Sequence, residues 1–147
     1  MTTVKQGVKS ARAGTHPGLI CQVPSGWAVL CDMQYLRGYT ILLPDPVVGG
    51  INELDRGQRS TFLCDMVTID DALLEVTEAF RINYALMSNS DPFQHGHIVP
   101  RYLSEPEEIR RGLPWSYPQG AMNANLLDAQ RDKESIARLA KAISKHL

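Results

Sequence analysis

Asn83-Tyr84-Ala85-Leu86-Met87-Ser88-Asn89-Ser90-Asp91-Pro92-Phe93-Gln94-His95-Gly96-His97-Ile98-Val99-Pro100-Arg101 is the stretch on which the reading of this chain turns. Over Arg81–Met87, Ile82, Tyr84 and Leu86 alternate with Arg81, Asn83 and Ala85, the period of a strand with one buried face. Tyr84, with Phe80 just before this run, is read as core. Asn89-Ser90-Asp91-Pro92 breaks the strand. Gln94–Arg101 then reads as a second strand closed by Pro100, and period two places His95 and His97 on one face of it.

Upstream, Phe62, Met66, Ile69, Leu73, Val76 and Phe80 are spaced 4, 3, 4, 3, 4, which draws one apolar stripe down a helix expected over Asp55–Phe80. Asp55 is its expected N-cap. The other face is acidic, with Glu53, Asp55, Asp65, Asp70, Asp71, Glu75 and Glu78. Earlier still come three short apolar runs, Leu19–Val23, Trp27–Cys31 and Tyr39–Leu43. The first two flank the turn signal Pro24-Ser25-Gly26. Downstream, Glu105–Arg111 reads as a short helix with Pro106 in its first turn. Gly112–Gly120 reads as irregular, and Asp132–Leu147 as an amphipathic helix. From Arg131 onward five basic and two acidic residues make that end complementary to the acidic helix. The order is strands, long helix, strands, an α+β pattern with about five antiparallel strands. Residues 1–17 are taken as an N-terminal arm or short helix, 18–120 as the domain and 121–147 as a C-terminal helical extension.

At 147 residues the chain is long enough for one cored domain. Fifteen basic against sixteen acidic residues give a net charge of −1, which argues against bulk nucleic-acid or membrane-surface binding. Its apolar runs are far shorter than the roughly 20 residues of a membrane span. The N-terminal residues are basic but lack the apolar segment of a secretory signal. Cys21, Cys31 and Cys64 are an odd, widely spaced set, read as small buried side chains in a reducing compartment. The expected location is the cytoplasm.

Two imidazoles side by side have three uses. They ligate a metal with help from elsewhere, act as nucleophile and proton-handling group, or are structural. A metal would need further ligands, and His16 and His146 lie near opposite ends of the chain. No Gly-rich loop leads from a strand into a helix, so neither a P-loop nor a Rossmann fingerprint is present.

Asn83–Asn89 followed by Gln94–Arg101 resembles the signature of the histidine triad superfamily of nucleotide hydrolases and transferases, in which histidines alternate with apolar residues before Pro-Arg. Val29-Leu30-Cys31-Asp32 and Gly38–Pro44 resemble the family's strand pair, and the likeness runs over about Trp27–Arg101. The resemblance implies a homodimer acting on a nucleoside phosphate derivative, of the dinucleoside polyphosphate or nucleoside phosphoramidate class, through a nucleotidyl-histidine. His95 would be the nucleophile. His97 would bind phosphate and handle the leaving group. Asn89 and Ser90 would contact phosphate, and Asp32 the ribose, with Cys31 able to take that register instead. No resident cofactor is implied, with magnesium entering on the substrate.

Two departures from the pattern stand out. Phe93 replaces the first histidine and Gly96 the apolar residue between the other two. Phe93 is expected to pack beside His95 and desolvate it, while its carbonyl keeps any backbone role. Gly96 is expected to loosen the strand. The rivals are a nucleotide-binding module with little turnover and a metal-dependent enzyme using His95 and His97 as ligands. Trp27 and Trp115 read as packing residues that could line a base pocket. Arg101 reads as a phosphate contact or a surface residue, and 114–118 as a lid.

Overall fold

The computed structural model describes residues 1–147. Five strands form one antiparallel sheet in the order β1-β2-β3-β5-β4: β1 Leu19–Val23, β2 Gly26–Leu30, β3 Thr40–Pro44, β4 Arg81–Ala85 and β5 Gly96–Arg101. The α+β expectation holds. Five α-helices accompany the sheet: α1 Val4–Arg12, α2 Arg56–Val76, α3 Glu107–Arg110, α4 Gln119–Asn123 and α5 Lys133–His146.

The main core lies between one sheet face and α2. Ala28, Leu30, Leu42 and Ile98 meet Phe62, Met66, Ile69 and Leu73, and α5 closes this layer with Leu139 and Ile143. Asp55 caps α2 by accepting from the Gln58 N–H, and the Gln58 side chain returns the bond to the Asp55 N–H. The helix stops at Val76, short of Phe80, which is exposed. Tyr84 is exposed as well. It sits on β4, an edge strand whose outer portion nothing covers, so neither aromatic joins the core as expected. Asp65 also departs from its reading: it is buried under the β1–β2 hairpin and accepts from the Ser25 N–H at 2.7 Å. Gly26 is required there, since a Cβ would overlap the Leu43 carbonyl oxygen. Helices α2 and α5 also meet through an ion pair from Glu75 to Lys145 and a contact between Glu75 and the His146 ring.

On the opposite face, Val4 and Val8 of α1 pack on Val29 and Leu43. Thr3 caps α1 reciprocally with Gln6. Both ends of the chain therefore pack on the sheet. Pro100 does not close β5: it lies inside the strand opposite Ile82, and Arg101 continues the pairing opposite Arg81. Gly96 opens β5 toward α2, where an added Cβ would stand 3.0 Å from the Met66 thioether. Met66 thus fills the space that a side chain at position 96 would take, and packing rather than looseness explains that glycine.

Candidate active site

Strands β2, β3 and β5 and the loop after β4 wall a cavity of about 490 Å³ on the α1 side of the sheet, a size suited to a small-molecule ligand. His95, His97, Asp32, Asn89 and Ser90 all line it, so the structure brings these five expected site residues to one cavity.

His95 precedes β5. Its Nδ1 lies 2.8 Å from the Phe93 carbonyl oxygen. A carbonyl can only accept, so Nδ1 carries the ring proton and Nε2 of the neutral ring keeps its lone pair. His97 is packed against it, with ring centroids 4.8 Å apart. Nδ1 of His97 lies 2.6 Å from the Tyr39 hydroxyl. Burial raises the Tyr39 pKa well above the ordinary phenol value, so the phenol is protonated. The hydroxyl can donate to Nδ1, and in that tautomer the His97 proton sits on Nε2. Burial, with a smaller contribution from neighbouring His95, depresses the His97 pKa to about 4. In that tautomer the pair presents one nitrogen lone pair and one N–H donor.

Trp115 forms a wall of the same cavity, edge-on to His97 at 5.4 Å between centroids. It is carried by a single 3₁₀ turn, Pro114–Ser116. Tyr35 donates to the Pro114 carbonyl at 2.8 Å and stacks edgewise on Tyr117. Trp27 points elsewhere and donates from Nε1 to Asp45 at 2.9 Å.

Phe93 does not desolvate His95. Its ring is absent from the cavity wall and packs on Val4, Val8, Val29 and Leu43, with the Lys5 ammonium 4.3 Å from its centroid. The ring stays on the α1 side of the sheet, the face that carries the cavity, and is seated between α1 and the sheet rather than in the cavity wall. Asp91 fixes this loop: one carboxylate oxygen accepts from the Phe93 N–H at 3.1 Å, the other from the Val4 N–H at the start of α1 at 2.7 Å.

Arg101 is neither a phosphate contact nor a surface residue. It is 2% exposed and is held by Glu105, the Asn83 side chain and the carbonyls of Ile109, Arg110 and Gly112. Burial pulls the Glu105 pKa upward, but Arg101, the Tyr102 N–H and the Tyr117 hydroxyl outweigh it and hold the carboxyl below its usual range. This knot anchors the segment that carries Trp115.

Asp32 accepts from the Thr2 N–H at 2.7 Å and the Thr2 hydroxyl at 3.3 Å. Cys31 beside it is buried, which pushes its thiol up to about 12. Ser88 was not legible in the sequence. It lines the cavity at φ 50, and its hydroxyl is buried without a partner, a strained polar residue of the kind found at binding sites. No set of three histidine, cysteine or acidic side chains is gathered in ligating geometry.

No family model matches the chain, and no curated protein does. Solved structures do match. A histidine triad protein from Marinobacter aquaeolei VT8 superimposes with a TM-score of 0.71 at 17% identity, covering 88% of this chain and 90% of that one. One from Bradyrhizobium japonicum gives 0.66 at 22% identity, covering 85% and 89%. A zinc-bound histidine triad family protein from Mycobacterium smegmatis gives 0.65 at 18%, covering 97% and 96%. The chain has the histidine triad fold. No helix is long and apolar enough to cross a membrane.

Proposed function

We propose that this protein is a histidine triad hydrolase or nucleotidyltransferase that cleaves a phosphoanhydride of a nucleoside phosphate derivative through His95. The observation that carries this reading is the Phe93 carbonyl on His95 Nδ1, which leaves Nε2 as a free nucleophile in a cavity wall. Nε2 attacks the α-phosphorus, and the bond from phosphorus to the leaving oxygen breaks in line. The leaving group departs as a phosphate or nucleotide anion. The nucleotidyl-His95 that forms is cationic, with its Nδ1–H on the Phe93 carbonyl. Water then attacks phosphorus, the P–N bond breaks, His95 returns neutral, and the surplus proton passes to solvent. A nucleotidyltransferase would use another acceptor in place of water.

His97 donates its Nε2–H to a phosphoryl oxygen and stabilises the developing charge. A neutral ring at pH 7 is a donor but a poor source of a whole proton. The site therefore suits leaving groups that depart as stable anions, as from a dinucleoside polyphosphate, better than the amine of a phosphoramidate. Asn89 and Ser90 contact the phosphates from the loop after β4, and Asp32 contacts the ribose. Magnesium enters with the substrate phosphates. The protein works as a homodimer paired through edge strand β4, beside which Leu63, Val67, Tyr84 and Leu86 form an exposed apolar groove.

Incubation with a dinucleoside polyphosphate and magnesium, followed by chromatography, tests the reading. Release of nucleoside monophosphate is expected. Nucleotide binding without release would make the protein a binding module.

A further inference from the structure

The entry to β1 contributes a third imidazole to the cavity. His16 is 7% exposed and lines the cavity wall together with Leu30, Cys31 and Asp32. Its Nδ1 accepts from the Gly18 N–H at 3.0 Å, and its carbonyl accepts from the Leu19 N–H at 3.1 Å. A backbone N–H can only donate, so Nδ1 is unprotonated and the neutral ring carries its proton on Nε2. That Nε2–H has no partner in the protein, and it is not among the polar atoms sealed in the interior. The ring is rigidly held. Gly18 packs its backbone onto β2, with no room for a side chain beside the Leu30 carbonyl, and its own carbonyl accepts from the Leu30 N–H at 2.8 Å.

Asp32 offers complementary chemistry on the same wall. Its carboxylate is acceptor-only, with about four lone-pair sites, of which Thr2 takes two. His16 and Asp32 form no ion pair with each other, yet the carboxylate opposes the effect of burial on the His16 pKa, which burial lowers. A fixed donor beside a fixed acceptor matches a vicinal diol, whose hydroxyls each donate and accept. Strand β3 separates β2 from β5, with Val29 level with His97, so Asp32, three residues past Val29, is separated from His97 by two strand spacings, roughly 10 Å, and a further offset along the chain that the two side chains reach across into one cavity. A nucleoside monophosphate with its phosphate at the histidine pair would reach this wall with its sugar.

We propose that His16 is a recognition residue that donates from Nε2 to a ribose hydroxyl, forming with Asp32 a clamp for the 2′,3′-diol of the substrate. This rests on the nucleotide reading of the cavity and assigns the sugar its second contact.

Calorimetric titration of the full chain with the four common ribonucleoside 5′-monophosphates, and then with the 2′,3′-dideoxy counterpart of the tightest binder, tests the clamp. The wild type loses roughly tenfold or more in affinity for the dideoxy ligand, the scale of one or two hydrogen bonds. His16→Phe keeps a packed ring but lacks the donor. It binds the ribonucleotide roughly tenfold more weakly and discriminates less against the dideoxy ligand. His16→Gln, with a terminal amide to donate, recovers part of the loss. Equal wild-type affinity for both ligands overturns the clamp while leaving the nucleotide reading intact. Full discrimination in His16→Phe overturns the role of His16 alone. Failure of any monophosphate to bind overturns the nucleotide reading and the clamp with it.

Discussion

The main-chain carbonyl of Phe93 holds Nδ1 of His95 at 2.8 Å. This contact is made by the backbone and does not depend on the side chain at position 93. The ring at position 93 meanwhile serves the packing of α1.

Phe93→Leu should accordingly keep turnover of a dinucleoside polyphosphate within about threefold of wild type. Phe93→Ala should lower unfolding stability by about 2 kcal/mol, less than for a fully buried phenylalanine because this ring is only half-buried. Steady-state kinetics and denaturant unfolding of both variants check this. Collapse of activity in Phe93→Leu with unchanged stability would show that the ring itself acts at the site.

His97 should titrate near pH 4 rather than near 6.5 in the folded protein. The unfolded chain takes up a proton at this ring as pH falls through about 6.5, and the folded chain does so only near 4. Between those values the unfolded state binds more protons, so stability present above pH 6.5 is lost as the solution is acidified, by at most about 3 kcal/mol for this group. Ring-proton NMR across pH 3.5–8 reads the midpoint directly. A midpoint near 6.5 would contradict the desolvated, donor-only role given to His97.

Trp115→Ala should raise that same midpoint toward 6.5, because removing the indole edge-on to His97 admits water to the ring. The same NMR titration on the variant is the check. An unmoved midpoint would mean that Tyr39 and the sheet alone desolvate His97.

Arg101→Ala should cost about 3–5 kcal/mol, the penalty for leaving Glu105 buried without its partner. Activity should fall in parallel with stability as the segment carrying Trp115 loosens. Loss of activity with undiminished stability would instead return Arg101 to a direct phosphate contact.

How much of this was legible beforehand follows from the range of the interactions. Period-two and 3.6-residue spacings marked the strands and α2, and the HxH pair marked β5, because those signals are local. The contacts that Tyr39 and Trp115 make with His97 were beyond that reach, although Trp115 was legible as a residue that could line a pocket. Tyr39 bonds a histidine 58 residues away, and Trp115 arrives only because the chain folds back onto Arg101. Ser88 could not be singled out either, since its positive φ comes from the loop path and its residue type is unremarkable. Arg101 was misread because a strand-end arginine looks exposed until the residues that bury it, Glu105 to Tyr117, are in place. Phe80 and Tyr84 looked like core because periodicity cannot tell which strand will be the uncovered edge.

Covalent nucleotidylation of His95 at Nε2 is the step on which the proposed reaction stands. Rapid acid-free quenching of wild-type protein mixed with excess dinucleoside polyphosphate, followed by peptide mass spectrometry, tests it most directly. A nucleoside monophosphate adduct is expected on the peptide containing His95, absent in His95→Ala, with turnover in that variant reduced on the order of 10³-fold or more. Near wild-type turnover in His95→Ala, or an adduct located on His97, would contradict it.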